Sequence, residues 1–229
     1  MNPPSFPSAW DSVPAPGVRN SAERTNVTAL PLDTLSDAAL VAALIQGNQR
    51  AASVIWHRHS PAVRRMLQRS LGPDQEIEDL LQDVFMGFAK SASKLADASV
   101  LRSYLVGIAF RTAAMEIRRR KVRRWVSLTR TGEVPDAPVS LSGEPDDRRA
   151  LRALYQILDT LSARERLVFV ARHVEGMQIE EAAAALDISK ATAWRLGKSS
   201  LQRVTEKAQK VPALAEYVER ALKSKARLP

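Results

Sequence analysis

The chain has 229 residues, 34 Lys and Arg against 25 Asp and Glu, a net charge of +9, and no cysteine. Disulfides, thiolate metal sites and cysteine nucleophiles are thereby excluded, and the positive balance favours a polyanionic partner. No apolar run approaches the roughly 18 residues of a spanning helix, and prolines and polar residues stand where a secretory leader needs an apolar core; the sequence predicts a soluble, cytoplasmic chain with no membrane insertion.

Residues 1–35 hold six of the 13 prolines and keep no apolar period, the composition of a disordered tail. Phe6 and Trp10 can anchor a partner there, but the composition favours an idle tail. At Ser36, placed as an N-cap, a domain spanning 36–126 begins. Leu40, Leu44 and Ile45 recur at helical spacing, and a second helix follows Gly47-Asn48 with Ala52, Ile55, Trp56, His59, Val63, Met66 and Leu67 near one face. Pro61 is expected to bend or split it, and Gly72-Pro73 to end it. In the third helix Ile77, Leu80, Leu81, Val84, Phe85 and Phe88 make a continuous apolar stripe. Its other face is acidic and amide, with Glu76, Glu78, Asp79, Gln82 and Asp83, and no Lys or Arg lies between Arg69 and Lys90. Such a face suits a basic protein partner; the plainer reading is a solvated helix face.

A polar segment from Lys90 to Ser99 leads to a fourth helix opening with Leu101, Tyr104, Leu105, Ile108 and Ala109. From Phe110 to Arg130 it carries eight basic residues and one acid, Glu116, and Tyr104 and Trp125 bracket the run. Cations that track a backbone and aromatics that stack on bases suit single-stranded nucleic acid; the competing reading keeps Tyr104 in the core and the arginines in solvent. Residues 127–147 are assigned as a linker. From Thr131 to Asp147 there are three prolines, two glycines, five acids and no base, which marks a domain boundary.

The second domain spans 148–207. Leu151, Leu154, Tyr155, Leu158 and Leu161 make one stripe; Ser162-Ala163-Arg164-Glu165 fits a capping box; Leu167, Val170, Ala171 and Val174 make the next stripe, closed by Gly176. A short helix, Glu180 to Ala185, then turns at Leu186-Asp187-Ile188 into a second one capped by Ser189 and carrying Lys190, Arg195, Lys198, Arg203 and Lys207. This is the pattern of a helix-turn-helix whose second helix enters a major groove, though a plain helical hairpin with a basic face fits the stretch as well. Residues 208–229 are a C-terminal extension, interrupted near Pro212, with a basic tail.

No catalytic set assembles. His57 and His59 are spaced i, i+2 and do not share a helix face; no Gly-rich phosphate loop occurs; and an amphipathic helix explains Glu76, Glu78, Asp79 and Asp83 without a metal. The sequence reads as a binding protein, with no cofactor and no enzyme activity.

Asp79-Leu-Leu-Gln-Asp-Val-Phe85 resembles the polymerase-docking helix of bacterial sigma factors, region 2. Leu101-Arg-Ser-Tyr-Leu-Val-Gly-Ile-Ala109 with Arg118-Arg-Arg-Lys121 resembles the next helix, which captures and opens the −10 promoter element. Leu158-Asp-Thr-Leu-Ser-Ala-Arg-Glu-Arg166, Gly176 and the helix-turn-helix resemble region 4, which reads the −35 element. Their order and the acidic linker resemble extracytoplasmic function (ECF) factors of the sigma-70 family, over roughly residues 36–207.

The resemblance implies an all-α protein of two small helical domains that binds core RNA polymerase and promoter DNA, duplex at −35 and single-stranded at −10, with an anti-sigma partner. It implies that Asp79, Gln82 and Asp83 dock the polymerase. It assigns Lys90, Lys94, Arg102, Tyr104, Arg111, Arg118, Arg119, Arg120 and Lys121 to the −10 strand, and Ser189, Lys190, Thr192, Trp194, Arg195 and Lys198 to −35 DNA. The chain departs from the family at Tyr104, where Trp is common, near Arg111, where Asn is common, at Asp187, where the turn usually has Gly, and at Gly197, where Leu is common. A stand-alone helix-turn-helix repressor and a Mg²⁺-dependent nuclease are the competing functions; the order of motifs disfavours both.

Overall fold

The computed structural model describes residues 32–72, 76–95, 97, 100–131, 145–215 and 217. Among them there are eight α-helices of seven residues or more, a further helical turn at 212–215, and no strand. Helices α1 (Asp37–Ile45), α2 (Gln49–Leu71), α3 (Ile77–Ser91) and α4 (Leu101–Thr131) form the first domain; α5 (Pro145–Asp159), α6 (Ala163–Phe169), α7 (Ile179–Ala185) and α8 (Lys190–Ala208) form the second. The architecture is all-α, as the periodicity predicts.

The helix starts are chemically marked. Ser36 Oγ accepts from the Ala39 amide at 3.3 Å to open α1, and Asn48 Oδ1 accepts from the Arg50 amide at 3.0 Å to open α2, each satisfying a donor that has no partner within its helix. A 3₁₀ turn at Leu32–Thr34 precedes α1, and Leu35 packs on the first core. Helix α2 runs unbroken through Pro61, so the expected split does not occur. Pro61 is exposed, and the carbonyl it leaves without a donor, on His57, lies at an exposed residue where water can serve it.

The apolar stripe of α3 is buried as its spacing predicts: Ile77, Leu80, Leu81, Val84, Phe85 and Phe88 all face inward. Trp56 of α2 packs on Phe85 with ring centroids 4.7 Å apart. Leu101, Leu105, Ala109, Phe110 and Ala113 of α4 complete this core. In the second domain Ile157, Leu158, Leu161, Phe169, Val170 and Val204 form a separate cluster. Ser162 and Glu165 make the capping box, at 3.2 Å and 2.9 Å. Helix α6 passes into one π-helical turn, Val170–Val174, and Gly176 turns the chain with φ of +69°.

The sequence places a linker at 127–147, but helix is present on both sides of that boundary, to Thr131 and from Pro145. Residues 132–144, the tail up to 31 with Phe6 and Trp10, and the basic tail beyond 217 lie outside the described residues. The two domains touch. Ala163, Leu167, Ala171 and Ala182 of the second are buried in the core of the first.

Candidate nucleic-acid and polymerase interface

Three surfaces stand out, each fixed by the helix that carries it. The first is on α3. Burial of its apolar stripe leaves Asp79 and Asp83 exposed and Gln82 half-buried on the outer side. Glu78 is held by Arg64 of α2 through a two-pronged pair, 2.7 Å and 2.8 Å, and that hydrogen bonding keeps its carboxyl below the usual carboxylate range. Asp79 and Asp83 make no ion pair among the described residues, so their charge is displayed outward.

The second surface is on α4. At about 100° per residue, Tyr104, Arg111, Met115, Arg118, Val122 and Trp125 share one face, opposite the core stripe. Trp125 is 67% exposed, and Met115 and Val122 are also exposed. Cationic and apolar side chains therefore alternate along one line of the helix. Tyr104 is half-buried, edge-on to Phe88 with centroids 6.3 Å apart, so its ring packs on the core in part and is open in part. Arg111 and Arg118 are exposed, as are Arg102 in the first turn, Lys90 at the end of α3 and Lys94 in the 3₁₀ turn Ala92–Lys94.

Arg119, Arg120 and Lys121 are engaged within the protein. Glu116, 4% exposed, accepts from Arg119 at 2.7 Å, Arg120 at 2.8 Å and Arg123 at 2.9 Å. Glu76, at the start of α3, faces Arg119 and Arg123 at 3.3–3.4 Å, and its hydrogen bond from Arg123 holds its carboxyl below the ordinary range. Lys121 donates to the Leu161 carbonyl of the second domain. The single acid of the basic run is thus its organiser. Met115 and Val122 escape sequence reasoning because an apolar residue in a helix reads as core; the signal was their phase, opposite to Leu105, Ala109 and Ile117.

The third surface is the helix-turn-helix. Asp187 adopts φ of +52°, the left-handed conformation that a short polar side chain tolerates. Ser189 accepts from the Thr192 amide at 3.2 Å, and the two hydroxyls lie 2.8 Å apart, so both serve the start of α8. Lys190 pairs with Glu180 of α7, and that hydrogen bond keeps the Glu180 carboxyl low. Ala193, Gly197, Ser200 and Val204 face inward. The line opposite them is Ala191, Arg195, Lys198 and Gln202, all exposed, with Trp194 beside it. Trp194 is 61% exposed and does not fold onto the core; Lys198 Nζ sits 5.3 Å over its ring. A Cβ at Gly197 would make an ordinary contact, 3.5 Å from Val168 Cγ1 of α6.

These surfaces coincide with two family matches. Sigma-70 region 2 matches residues 55–123 and Sigma-70 region 4 matches residues 151–202. The RNA polymerase sigma-E factor of Streptomyces avermitilis is 33% identical over 153 residues, covering 66% of this chain and 82% of that protein. The chain belongs to the sigma-70 family, in its ECF subfamily. The sigma factor CnrH of Cupriavidus metallidurans is 28% identical, covering 72% of this chain and 90% of that protein, and the ECF sigma factor SigM of Mycobacterium tuberculosis is 24% identical over 69% of this chain and 76% of its own. A solved structure of CnrH with the cytosolic domain of CnrY shares the fold, with a TM-score of 0.51 at 22% identity, over 74% of this chain and 95% of that one. This sigma factor therefore works with RNA polymerase at promoters, and the matches carry no support for the repressor reading. No helix among the described residues is long and apolar enough to cross a membrane.

Proposed function

We propose that the three surfaces divide the work of initiation. Asp79 and Asp83, with Gln82 between them, dock a basic surface of core polymerase. The line Tyr104–Arg111–Met115–Arg118–Val122–Trp125, flanked by Lys90, Lys94 and Arg102, carries the separated −10 strand. Arg195 and Lys198 face the −35 groove with Trp194 beside them, while Ser189, Lys190 and Thr192 hold the start of the recognition helix. Arg119, Arg120 and Lys121 act by keeping that end of α4 positive and ordered. The factor supplies binding and no catalysis of its own, and it acts in the cytoplasm, where bacterial chromosomes are transcribed. CnrH has been solved with a second protein bound; a sequestering anti-sigma partner is extended to this chain on that likeness.

The observation that carries the reading is the separation of sign: unpaired carboxylates on α3, and arginines alternating with exposed apolar side chains on α4. Like charge repels phosphate, and the alternation matches a strand with phosphates on one side and base faces on the other. The variant Asp79→Arg with Asp83→Arg should lose association with core polymerase while keeping its helical circular dichroism. Native-strength capture of core by that variant removes the docking assignment.

A further inference from the structure

The arginines of α2 and α4 fall into two groups. Arg58 pairs with Asp37, Arg64 with Glu78 and Arg69 with Glu175; Arg119, Arg120 and Arg123 gather on Glu116, and Arg124 pairs with Asp159. Arg65 of α2 and Arg102 and Arg111 of α4 make no ion pair or hydrogen bond among the described residues, and these three line one cleft. The cleft encloses about 620 Å³, within the range of small-ligand sites, about 300–1,000 Å³. Tyr104 stands in its α4 wall, the ring half-buried against Phe88. Arg111 Nη1 lies 3.7 Å from where a Cβ of Gly107 would stand, so its guanidinium lies back along α4 over the cleft floor. The opposite wall is acidic and comes from the second domain, with Glu175 and Glu181. Glu175 is engaged by Arg69 at 3.0 Å. One Glu181 oxygen caps α7 by accepting from the Gln178 amide at 2.7 Å; the other accepts nothing among the described residues.

We propose that this cleft is a site for a soluble nucleoside diphosphate, with guanine the preferred base. Three uncompensated guanidiniums repel one another. A diphosphate ester carries about three negative charges at neutral pH, and it relieves that repulsion through charge-assisted hydrogen bonds. The open side of the Tyr104 ring offers a base its stacking face. The acidic wall then selects among bases. Guanine presents two adjacent N–H donors on one edge, which a carboxylate accepts; adenine presents a donor beside an acceptor, and a carboxylate oxygen repels the acceptor. The same wall favours one nucleotide over a continuous strand. A strand running on past Tyr104 would bring further phosphates against Glu175 and Glu181, where like charges repel. The site shares Arg102, Tyr104 and Arg111 with the proposed strand face, so a bound nucleotide competes with the −10 strand. That competition, and not the site itself, rests on the assignment of α4 to the −10 strand.

The test is calorimetric titration of the full chain with GDP, ADP and inorganic pyrophosphate at one ionic strength. GDP should bind once per chain, about tenfold tighter than ADP or pyrophosphate. Arg65→Gln, at an exposed position outside the proposed promoter contacts, should weaken GDP about fivefold and leave both helical circular dichroism and promoter-specific transcription unchanged. Glu181→Gln keeps a residue that can cap α7 and should level GDP with ADP. Pyrophosphate bound as tightly as GDP would mean an adventitious ion only and overturn the site. So would a GDP affinity that Arg65→Gln leaves intact, or a preference over ADP that Glu181→Gln leaves intact. GDP should also displace a fluorescein-labelled −10 single strand from the full chain. If GDP binds as described and the strand is not displaced, the nucleotide site stands and the strand assignment of α4 falls. If GDP does not bind while Arg111→Glu abolishes promoter opening by the holoenzyme, the nucleotide site falls and the strand assignment stands.

Discussion

Gly197 shows how much a single position can depend on its neighbour in space. In a helix interior glycine is worth about 1 kcal/mol less than alanine, so Gly197→Ala should stabilise the protein by about 0.5–1 kcal/mol. The added methyl would make an ordinary contact with Val168 at 3.5 Å. Gly197→Leu, which restores the family's common residue, should destabilise by about 1–3 kcal/mol through overpacking against α6. Thermal unfolding of both variants checks this opposite pair of signs. At Trp194 the proposed −35 role gives a sharper test. If the exposed ring reads a thymine methyl, replacing thymine by uracil in the −35 duplex should weaken holoenzyme binding by about 1 kcal/mol or more, and Trp194→Ala should abolish the difference. Equal sensitivity in both proteins would assign the ring to the sugar–phosphate backbone. At this scale some residues were legible and some were not. Asp187 announced its left-handed turn, and Ser36, Ser162 and Ser189 their caps, because those properties are local. The neighbour that Gly197 faces, Val168, lies on another helix and leaves no local mark.

Among the elements, α3 is tied by charge to α4 through Glu76 and to α2 through Glu78. Glu76 and Glu78 both have carboxyls held below their ordinary value by guanidinium partners. A lowered folded value means that the stabilisation is fully present above the unfolded carboxylate value, about 4.3, and is lost as pH falls through the folded one. Urea midpoints should be flat near neutrality and drop below about pH 4. Glu76→Gln with Glu78→Gln should lower the neutral plateau and make the acid limb shallower. A variant whose acid limb matches the wild type would show that other carboxylates govern it. The helical stripe of α3 was readable because its period is regular. The role of Glu116 was not, since one acid among eight bases looks incidental until the turns of α4 bring three arginines around it.

For the whole molecule, the order of the two sigma-70 regions was present in the order of the motifs, whereas the docking of one domain on the other was not. Its donors reach backbone carbonyls of Gln68, Ser70 and Leu161, and its apolar contacts come from small residues such as Ala163, Ala171 and Ala182. Carbonyls belong to every residue, and alanines suit any helix, so neither carries a sequence signature of an interface.

Helix α4 does not stop at the edge of its domain; it projects as an unbroken rod of 31 residues, about 46 Å long at 1.5 Å per residue. The 13 residues from 132 to 144 add at most about 45 Å of contour. Counted from Trp125, the last side chain of the proposed strand face, about 9 Å of helix and this contour together set the farthest that the second domain can stand from the −10 strand, about 54 Å. Deleting six residues from 132–144 should therefore abolish transcription from promoters with long spacers first and spare those with short ones, making the length of this helix a gauge for the DNA the factor can serve.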